Sequence, residues 1–192
     1  MSDVIVSAEG IGVLVGDERW LFRDLDLAVA RGRCLALTGE NGSGKSTLLR
    51  CLYGVQDPTE GTVEVAGRTP DETDAAFRRD VSVLFDDSAV FDEFTPGQHF
   101  DLLGGGQPAH DLPEVPARGL SAGQRRRLLL LGALTKPHKV LLLDEPERAV
   151  DAAGRDWLKQ MVNAAKGAGS AVVLASHFPP LVDAVADEVI DL

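Results

Sequence analysis

The hydrophobic residues of this chain fall into two kinds of short run, which predict two kinds of β-strand. Some runs are continuously apolar, namely Arg33–Thr38, Val81–Phe85, Lys139–Asp144 and Ser170–Ser176. Such runs are typical of strands buried on both faces, as in a parallel sheet covered by helices. Other runs alternate apolar and polar residues, as antiparallel strands with one wet face do; they are Val4–Ala8, Val13–Val15, Leu25–Ala30 and Thr62–Gly67.

Segments of helical character separate these strands along the chain. The predicted helices are Lys45–Tyr53, Thr73–Arg79, Pro96–Leu103, Ala122–Leu134, Ala152–Lys166 and Pro180–Ala186. The Gly- and Pro-rich stretch Gly104–Pro116 has no predicted element, and no internal repeat is visible. Strands that alternate with helices predict an α/β domain with an antiparallel sheet on its N-terminal side.

Composition narrows the class of protein without identifying it. A chain of 192 residues fits one domain, and a formal charge of −11 argues against nucleic acid or an anionic membrane surface as a direct partner. Cys34 and Cys51 lie in apolar segments, which favours buried free thiols in a reducing compartment. No secretory signal and no run of membrane-spanning length is visible, so we expect a cytosolic protein whose role at any membrane requires a partner.

A glycine-rich segment lies between the strand Arg33–Thr38 and the following helix, where it predicts a phosphate-binding loop. Its sequence, GENGSGKST, fits the pattern G-x-x-x-x-G-K-[ST]. The glycines let successive N–H groups point inward at a helix N-terminus, while Lys45 reaches the β- and γ-phosphates and the Ser46 hydroxyl ligates Mg²⁺. The predicted ATP-binding residues are Gly39, Glu40, Asn41, Gly42, Ser43, Gly44, Lys45, Ser46 and Thr47.

A second apolar strand, Lys139–Asp144, ends in acidic residues. Carboxylates at the carboxyl end of a buried strand lie where ligands bind in open α/β sheets. We expect Asp144 to hold Mg²⁺ and Glu145 to orient or deprotonate the attacking water. The strand Ser170–Ser176 delivers His177 to the same edge, which makes Glu145 and His177 the candidate catalytic residues.

The segment LSAGQRRR predicts a second anion-binding helix terminus. Ser121 and Gln124 have the spacing of a capping box, and Gly123 permits close approach of a ligand. Because one nucleotide has only one set of phosphates, already held by the glycine-rich loop, this terminus is expected to face the nucleotide of another subunit. The residues of this segment are Leu120, Ser121, Ala122, Gly123 and Gln124.

These motifs together resemble those of the ATP-binding cassette (ABC) ATPases along nearly the whole chain. GENGSGKST resembles their Walker A, LLLLDEP their Walker B, LSAGQ their signature, and RAVD, ending at Asp151, their D-loop. The resemblance implies a P-loop NTPase (RecA-like) core of α/β class, with an N-terminal antiparallel β subdomain and a short α-helical subdomain. It also implies ATP and Mg²⁺ as cofactors, an ATP sandwich dimer of two cassette subunits, and ATP hydrolysis that drives a membrane-spanning subunit on a separate chain.

The resemblance divides residues 1–192, a single ABC ATPase domain, into three parts. Residues 1–85 form the β subdomain and core, about 86–135 the Q-loop and short helical subdomain, and 136–192 the rest of the core. The short insert and the end of the chain at Leu192 favour a compact bacterial exporter-type subunit. Its expected place is the cytoplasmic face of the cell membrane, held there by its partner. The family's base-stacking aromatic corresponds to Val15, with Trp20 and Phe22 nearby.

The stretch LFDDSAVFDEF mixes four carboxylates with three phenylalanines. In register with the family, its residue Asp86 occupies the position of the Q-loop glutamine, which contacts Mg²⁺ and the attacking water. Asp86 is therefore a candidate metal ligand, whose extra charge predicts a steep dependence on Mg²⁺. The phenylalanines are expected to line a groove that receives the membrane subunit. The alternative is that the alignment slips and Asp86 faces solvent.

Other functional readings remain open from the sequence. A weakly hydrolysing partner in an asymmetric cassette dimer is kept open by the acidic loop, although Glu145 and His177 weigh against it. A soluble ABC-type switch protein without a membrane partner is disfavoured by the single cassette and the acidic charge. A generic phosphate-loop kinase leaves LSAGQ unexplained.

Overall fold

The computed structural model describes residues 3–16, 19–104 and 106–192, which form two β-sheets with helices around them. The antiparallel sheet has the strand order β2–β1–β4, with β1 at Val4–Val15, β2 at Arg19–Ala30 and β4 at Glu60–Val65. The parallel sheet has the order β5–β6–β7–β3–β8; its strands are β3 (Cys34–Thr38), β5 (Val81–Leu84), β6 (Val140–Asp144), β7 (Ala171–Ala175) and β8 (Glu188–Asp191).

The helices of the described residues lie close to the predicted ones. They are α1 (Lys45–Tyr53), α2 (Ala75–Asp80), α3 (Pro96–Leu103), α4 (Ala122–Thr135), α5 (Ala152–Gly167) and α6 (Pro179–Val185), with a 3₁₀ turn at Ala117–Gly119. The predicted fold class, an α/β P-loop core with an antiparallel β subdomain, is confirmed. None of the described helices combines the length and the apolar character needed to cross a membrane.

The N-terminal strands are longer than their hydrophobic patterns predict. The predicted runs Val4–Ala8 and Val13–Val15 belong to one strand, β1, which continues through irregular register around Gly10 and Gly12. A bulge inserts an extra residue and breaks the alternation of side chains without ending the pairing of the backbone. For that reason the sequence pattern alone splits the strand in two.

The parallel sheet places the candidate residues at one edge. Every residue of β6 and β7 is buried, as the continuous apolar runs predict. β7 lies between β6 and β3, and Ala175 at its end is in register with both Asp144 and Leu37. The carboxyl ends of β3, β6 and β7 therefore bring the glycine-rich loop, the acidic turn after Asp144 and His177 together.

A smaller apolar cluster supports the segment between α3 and α4. It is formed by Phe100, Leu112, Ala117, Leu120, Leu128 and Leu131. The stretch Gly104–Pro116, whose described residues form neither helix nor strand, contributes Leu112 to this cluster. Leu120 anchors the start of α4 in it, which leaves the neighbouring Ser121 at the surface.

Candidate functional site

The largest feature at the carboxyl edge of the parallel sheet is an open cavity of about 750 Å³. Its lining combines the glycine-rich loop, the acidic turn after β6, and side chains that follow β5 and β7. The lining residues are Leu21, Asn41, Gly42, Gly44, Lys45, Ser46, Thr47, Asp86, Glu145, Glu147, Arg148, Arg155, His177 and Phe178. The volume suits a nucleotide, since ligand pockets commonly measure about 300–1,000 Å³.

The glycine-rich loop is held in shape by its glycines and by Lys45. Gly44 caps α1 with φ at 112°, and a Cβ atom there would lie 2.8 Å from Cδ1 of Phe22, so only glycine fits. The Lys45 side chain is buried under the loop, where its Nζ donates to the carbonyl oxygens of Gly39 and Glu40 at 2.8 Å each. These bonds hold the ammonium at the mouth of α1, where phosphates bind helix N-termini.

Asp144 and Ser46 meet as the sequence predicts for a divalent cation. Asp144 is 2% exposed, and the Ser46 hydroxyl and the Asp86 backbone N–H lie close enough to its carboxylate to lower its pKa. Burial raises the pKa of Asp144, and its Oδ1 has no hydrogen-bond partner among the described residues. A buried oxygen without a partner beside a hydroxyl is a donor set that fits Mg²⁺, which takes hard oxygen ligands.

Glu145 follows Asp144 in an unusual backbone conformation. Its φ is 45°, in the left-handed region that non-glycine residues seldom adopt. Its N–H donates to the carbonyl of Ala175 at 2.9 Å, and its Oε2 lies 2.5 Å from Nδ1 of His177. The turn thus directs the Glu145 carboxylate into the cavity and pairs it with the imidazole.

Glu147 is a buried acid in the cavity that the sequence analysis did not single out. It is 7% exposed, and burial raises the pKa of its carboxyl group. The Ser176 hydroxyl donates to its Oε1, whereas its Oε2 is unpaired within the part of the chain that the structure describes. Ligand atoms of Glu145, Glu147 and His177 all lie within 4.8 Å of one another. The cavity therefore holds one more carboxyl group than the two residues DE of the Walker B motif suggest.

Arg126 on α4 is a second residue that the sequence analysis did not identify. Its side chain is 7% exposed and passes behind the acidic turn. Its Nη2 donates to the carbonyl oxygens of Asp144 at 3.1 Å and Glu145 at 2.6 Å, and Nη1 lies 3.5 Å from that of Phe85. Burial lowers the pKa of the guanidinium, while nearby carboxylates oppose that shift. A cation is thus enclosed beside the acidic residues of the cavity.

The acidic stretch after β5 is neutralised by arginines from other elements. Asp86 lines the cavity, and its carboxylate is bound by the guanidinium of Arg148. The remaining pairs are Asp87 with Arg50, Asp92 with Arg125 and Glu93 with Arg118. Asp86 therefore lines the cavity, where its carboxylate is paired with Arg148 instead of being a free charge. Its role as a metal ligand stays a prediction.

The phenylalanines of the same stretch do not line one groove, contrary to expectation. Phe85 packs on the core beside Tyr53, with ring centroids 6.0 Å apart. Phe91 and Phe94 are exposed by 58% and 37% and pack against His99. A groove of about 260 Å³ lies between α3, α4 and β5 instead; it is lined by Tyr53, Ser82, Val83, Leu84, Ser88, Ala89, His99, Leu103, Leu128, Leu129, Gly132, Ala133 and Lys136.

The position that corresponds to the family's base-stacking aromatic, Val15, and the aromatic residues near it lie in different surroundings. Val15 does not line the cavity, and Phe22 is buried in the core against Gly44. Trp20 instead carries the guanidinium of Arg23 over its ring at 4.5 Å. Leu21 is the β-subdomain residue that lines the cavity among those described. Phe22 is turned inward by its strand, and the position of base stacking stays a prediction.

The LSAGQ segment begins α4 with the predicted capping box. The Ser121 hydroxyl accepts from the N–H of Gln124 at 3.2 Å, and Gln124 Oε1 accepts from the N–H of Ser121 at 2.9 Å. Ser121, Gly123 and Asp151 line a separate cavity of about 310 Å³ and none of them lines the nucleotide-sized cavity. Asp151 caps α5, its Oδ1 accepting from the N–H of Gly154 at 2.8 Å.

Comparison with known proteins places these features in a family. The protein-family model for the ABC transporter family matches residues 22–148 of this chain. The phosphonates import ATP-binding protein PhnC 1 of Natronomonas pharaonis is 32% identical, over 98% of this chain and 89% of its own. The cytochrome c biogenesis ATP-binding export protein CcmA of Rhodopseudomonas palustris is 33% identical, over 91% of this chain and 92% of its own.

Solved structures agree on the fold. An ATP-binding subunit of an ABC transporter superimposes with a TM-score of 0.85 at 19% identity, covering 98% of this chain and 85% of its own. A dimeric ATP-binding cassette in a post-hydrolysis state, bound to ADP and Pi, gives 0.83 at 20% identity, covering 98% and 94%. The chain belongs to the ABC transporter family, as one of its ATP-binding and ATP-hydrolysing subunits.

Proposed function

We propose that this ATPase subunit binds Mg-ATP between two cassette subunits and thereby drives a membrane-spanning protein on a separate chain. One observation carries the proposal: Ser121 and Gly123 form an exposed capped helix start in a cavity separate from the one lined by Lys45. An anion-binding terminus that cannot reach the nucleotide of its own subunit is suited to the nucleotide of a partner. The named relatives serve import in one case and export in the other, so export remains a prediction.

The residues of the cavity divide the work of phosphoryl transfer. The loop Gly39–Thr47 binds the phosphates, with Lys45 turning from the loop carbonyls towards them. Ser46 and Asp144 would hold Mg²⁺, which neutralises phosphate charge when it is bound. Glu145 orients and deprotonates the attacking water, and His177 holds the Glu145 carboxylate at the position required. Their mutual contact favours active hydrolysis over the alternative of a weakly hydrolysing partner.

We assign the three parts of the domain as the motifs suggest. Residues 1–85 carry the antiparallel sheet and the phosphate loop, about 86–135 the acidic stretch with the small helical subdomain, and 136–192 the remaining core. The separate apolar cluster around Phe100 supports treating the middle part as a unit. The motifs at its two ends, Asp86 and Ser121–Gln124, face the cavity and the second subunit respectively.

The groove between α3, α4 and β5 is the proposed docking place of the membrane-spanning partner. It adjoins the acidic stretch that leads from Asp86, so a partner seated there is linked to the nucleotide cavity. Leu102 and Leu103 at the end of α3 are exposed by 60% and 46%, although both are apolar. An apolar groove beside exposed leucines suits an amphipathic helix of the partner. Such docking would keep the chain at the cytoplasmic face of the membrane.

Replacing Leu103 with aspartate is expected to detach the protein from its membrane partner. The charge would be desolvated in the groove, so we expect co-purification from native membranes to fall at least about tenfold. The purified variant should keep its basal ATPase activity, because Leu103 does not line the nucleotide cavity. Val4→Asp serves as control, since Val4 is similarly exposed, at 41% against 46% for Leu103, but lies on the antiparallel sheet. Equal recovery of both variants with membranes would contradict the docking proposal.

Replacing Arg148 with methionine is expected to make ATP hydrolysis depend more steeply on Mg²⁺. The change leaves the Asp86 carboxylate without its counter-charge in the cavity. A net repulsion of about 1.4 kcal/mol between Asp86 and the phosphates would correspond to about a tenfold rise in KM for ATP at low Mg²⁺. The measurement is phosphate release across a magnesium titration.

The double variant Asp86→Gln with Arg148→Met serves as the control for charge. It removes both members of the pair and should return the magnesium dependence close to that of the wild type. If the single and double variants respond alike, Arg148 acts by some means other than neutralising Asp86.

A further inference from the structure

Arg126 lies on the same helix as the LSAGQ segment and contacts the backbone of the catalytic turn. Ser121 caps α4 at the surface, and Arg126 leaves the buried face of that helix just over one turn later. Its guanidinium reaches the ends of two parallel strands, at the carbonyls of Phe85, Asp144 and Glu145. Helix α4 therefore connects two sites. Its start is the surface proposed to bind the partner's nucleotide, and its Arg126 contacts the residues that act on the nucleotide of its own subunit.

The contact with Glu145 falls on a strained position. A non-glycine residue in the left-handed region costs about 1–3 kcal/mol and persists only where its surroundings fix it. The Glu145 carbonyl accepts from Arg126 Nη2 at 2.6 Å and from the Arg148 N–H at 3.1 Å, while the Glu145 N–H is bound by Ala175. Both backbone groups of Glu145 are thus occupied, and Arg126 supplies the shorter of the two bonds to the carbonyl.

The free-energy cost of burying the Arg126 guanidinium indicates that this side chain has a role besides packing. Burying a guanidinium costs several kcal/mol unless its donors are satisfied, and a well-packed apolar side chain often serves stability as well. Its Nε has no hydrogen-bond partner in the described ranges, so the donors are not all used. The N–H groups of Arg126 that do form hydrogen bonds include those to the backbone carbonyls of Asp144 and Glu145, the two residues whose carboxylates are proposed to act in hydrolysis.

We propose that Arg126 is a positioning residue that holds the backbone of Glu145 in the left-handed turn and ties it to the LSAGQ helix. Arg126 does not touch the nucleotide. It affects turnover by fixing the direction of the Glu145 carboxylate. When α4 binds a partner's nucleotide, Arg126 transmits the resulting position of α4 to that carboxylate. The inference rests on the proposed role of Glu145 as the group that activates water.

Arg126→Met tests the positioning role, because methionine retains the apolar stem and loses every donor. We expect kcat to fall about tenfold to a hundredfold, the scale of a misplacement of about 1 Å, with KM for ATP changed less than about threefold. Arg126→Lys, with one cationic donor group, should recover part of the lost kcat. Should the methionine variant fail to fold, the lysine and glutamine variants carry the same comparison, each checked for ATP binding.

The decisive measurement combines Arg126→Met with Glu145→Gln. If Arg126 acts through Glu145, adding Arg126→Met to Glu145→Gln lowers the residual turnover less than about twofold. A merely structural role would lower both backgrounds by the same factor, and that result would overturn the inference. Arg78→Met is the control, since exposed Arg78 also donates to two backbone carbonyls, those of Glu72 and Thr73, and none of these residues lines the cavity.

The outcomes separate this inference from the proposed function. Glu145→Gln with wild-type turnover would remove Glu145 from the mechanism and the inference with it. A large loss in Glu145→Gln together with wild-type kcat in Arg126→Met would leave the proposed function standing and reject Arg126 alone.

Discussion

Glu145→Gln is expected to lose ATP turnover by about a hundredfold or more while the protein still binds Mg-ATP and accumulates as a dimer. Glutamine keeps the shape of the side chain but cannot accept a proton from water, and such groups contribute on this scale to phosphoryl transfer. Binding is preserved because Lys45, Ser46 and the loop amides are unchanged. With hydrolysis blocked, nothing removes the γ-phosphate that is proposed to join the two subunits.

Two measurements check this expectation on the same preparation. Phosphate release at saturating Mg-ATP gives the turnover, and size-exclusion chromatography with light scattering gives the mass with and without nucleotide. Lys45→Ala provides the contrast: it removes the ammonium that meets the phosphates, so it should bind ATP weakly and stay monomeric. A Glu145→Gln protein that remains monomeric with Mg-ATP would contradict the proposed arrangement of the two subunits.

Ser121→Arg is expected to abolish both the ATP-dependent dimer and turnover. The arginine puts a bulky cation at an exposed helix start that is proposed to approach the partner's γ-phosphate. We expect the dimer of the Glu145→Gln protein to disappear when Ser121→Arg is added. In the protein with Glu145 intact, turnover should fall at least about tenfold, because each active site would lack the contribution that we propose for its partner.

The loss of the helix cap must be separated from the loss of the anion site. Removing a serine cap costs about 1 kcal/mol by itself. Ser121→Asp keeps an oxygen that caps α4 but repels phosphate, so it should also prevent dimerisation. Ser121→Thr keeps both the cap and a neutral hydroxyl, so it should still dimerise. If the aspartate variant dimerises as well as the threonine variant, Ser121 does not meet a phosphate.

Local signals explain what the sequence predicts well. The start of α4 follows from Ser121 and Gln124, and that of α3 from Thr95 and Gln98, because each pair forms a capping box within four residues. The edge at which the site lies follows from strands that run parallel and end in acids. None of these conclusions requires knowledge of which distant segments meet.

Residues that act through distant contacts could not be found in the same way. Arg126 reads as part of the basic run RRR, yet its partners lie 18 to 41 residues away. Glu147 reads as a solvent-facing acid after DEP, but the Ser176 hydroxyl and the surrounding core enclose it. Phe85 packs on the core whereas Phe91 is exposed, although the two phenylalanines lie in similar local sequence. Tertiary packing therefore decides their burial.

The ion pair between Asp86 and Arg148 also has an evolutionary consequence. The two residues are separated by 62 positions in the chain, but their charges cancel only when both are present. A lineage that replaces only one of the two residues acquires an unbalanced charge in the cavity that both residues line. The two sites should therefore covary among related proteins, so that a glutamine at the first accompanies an uncharged residue at the second.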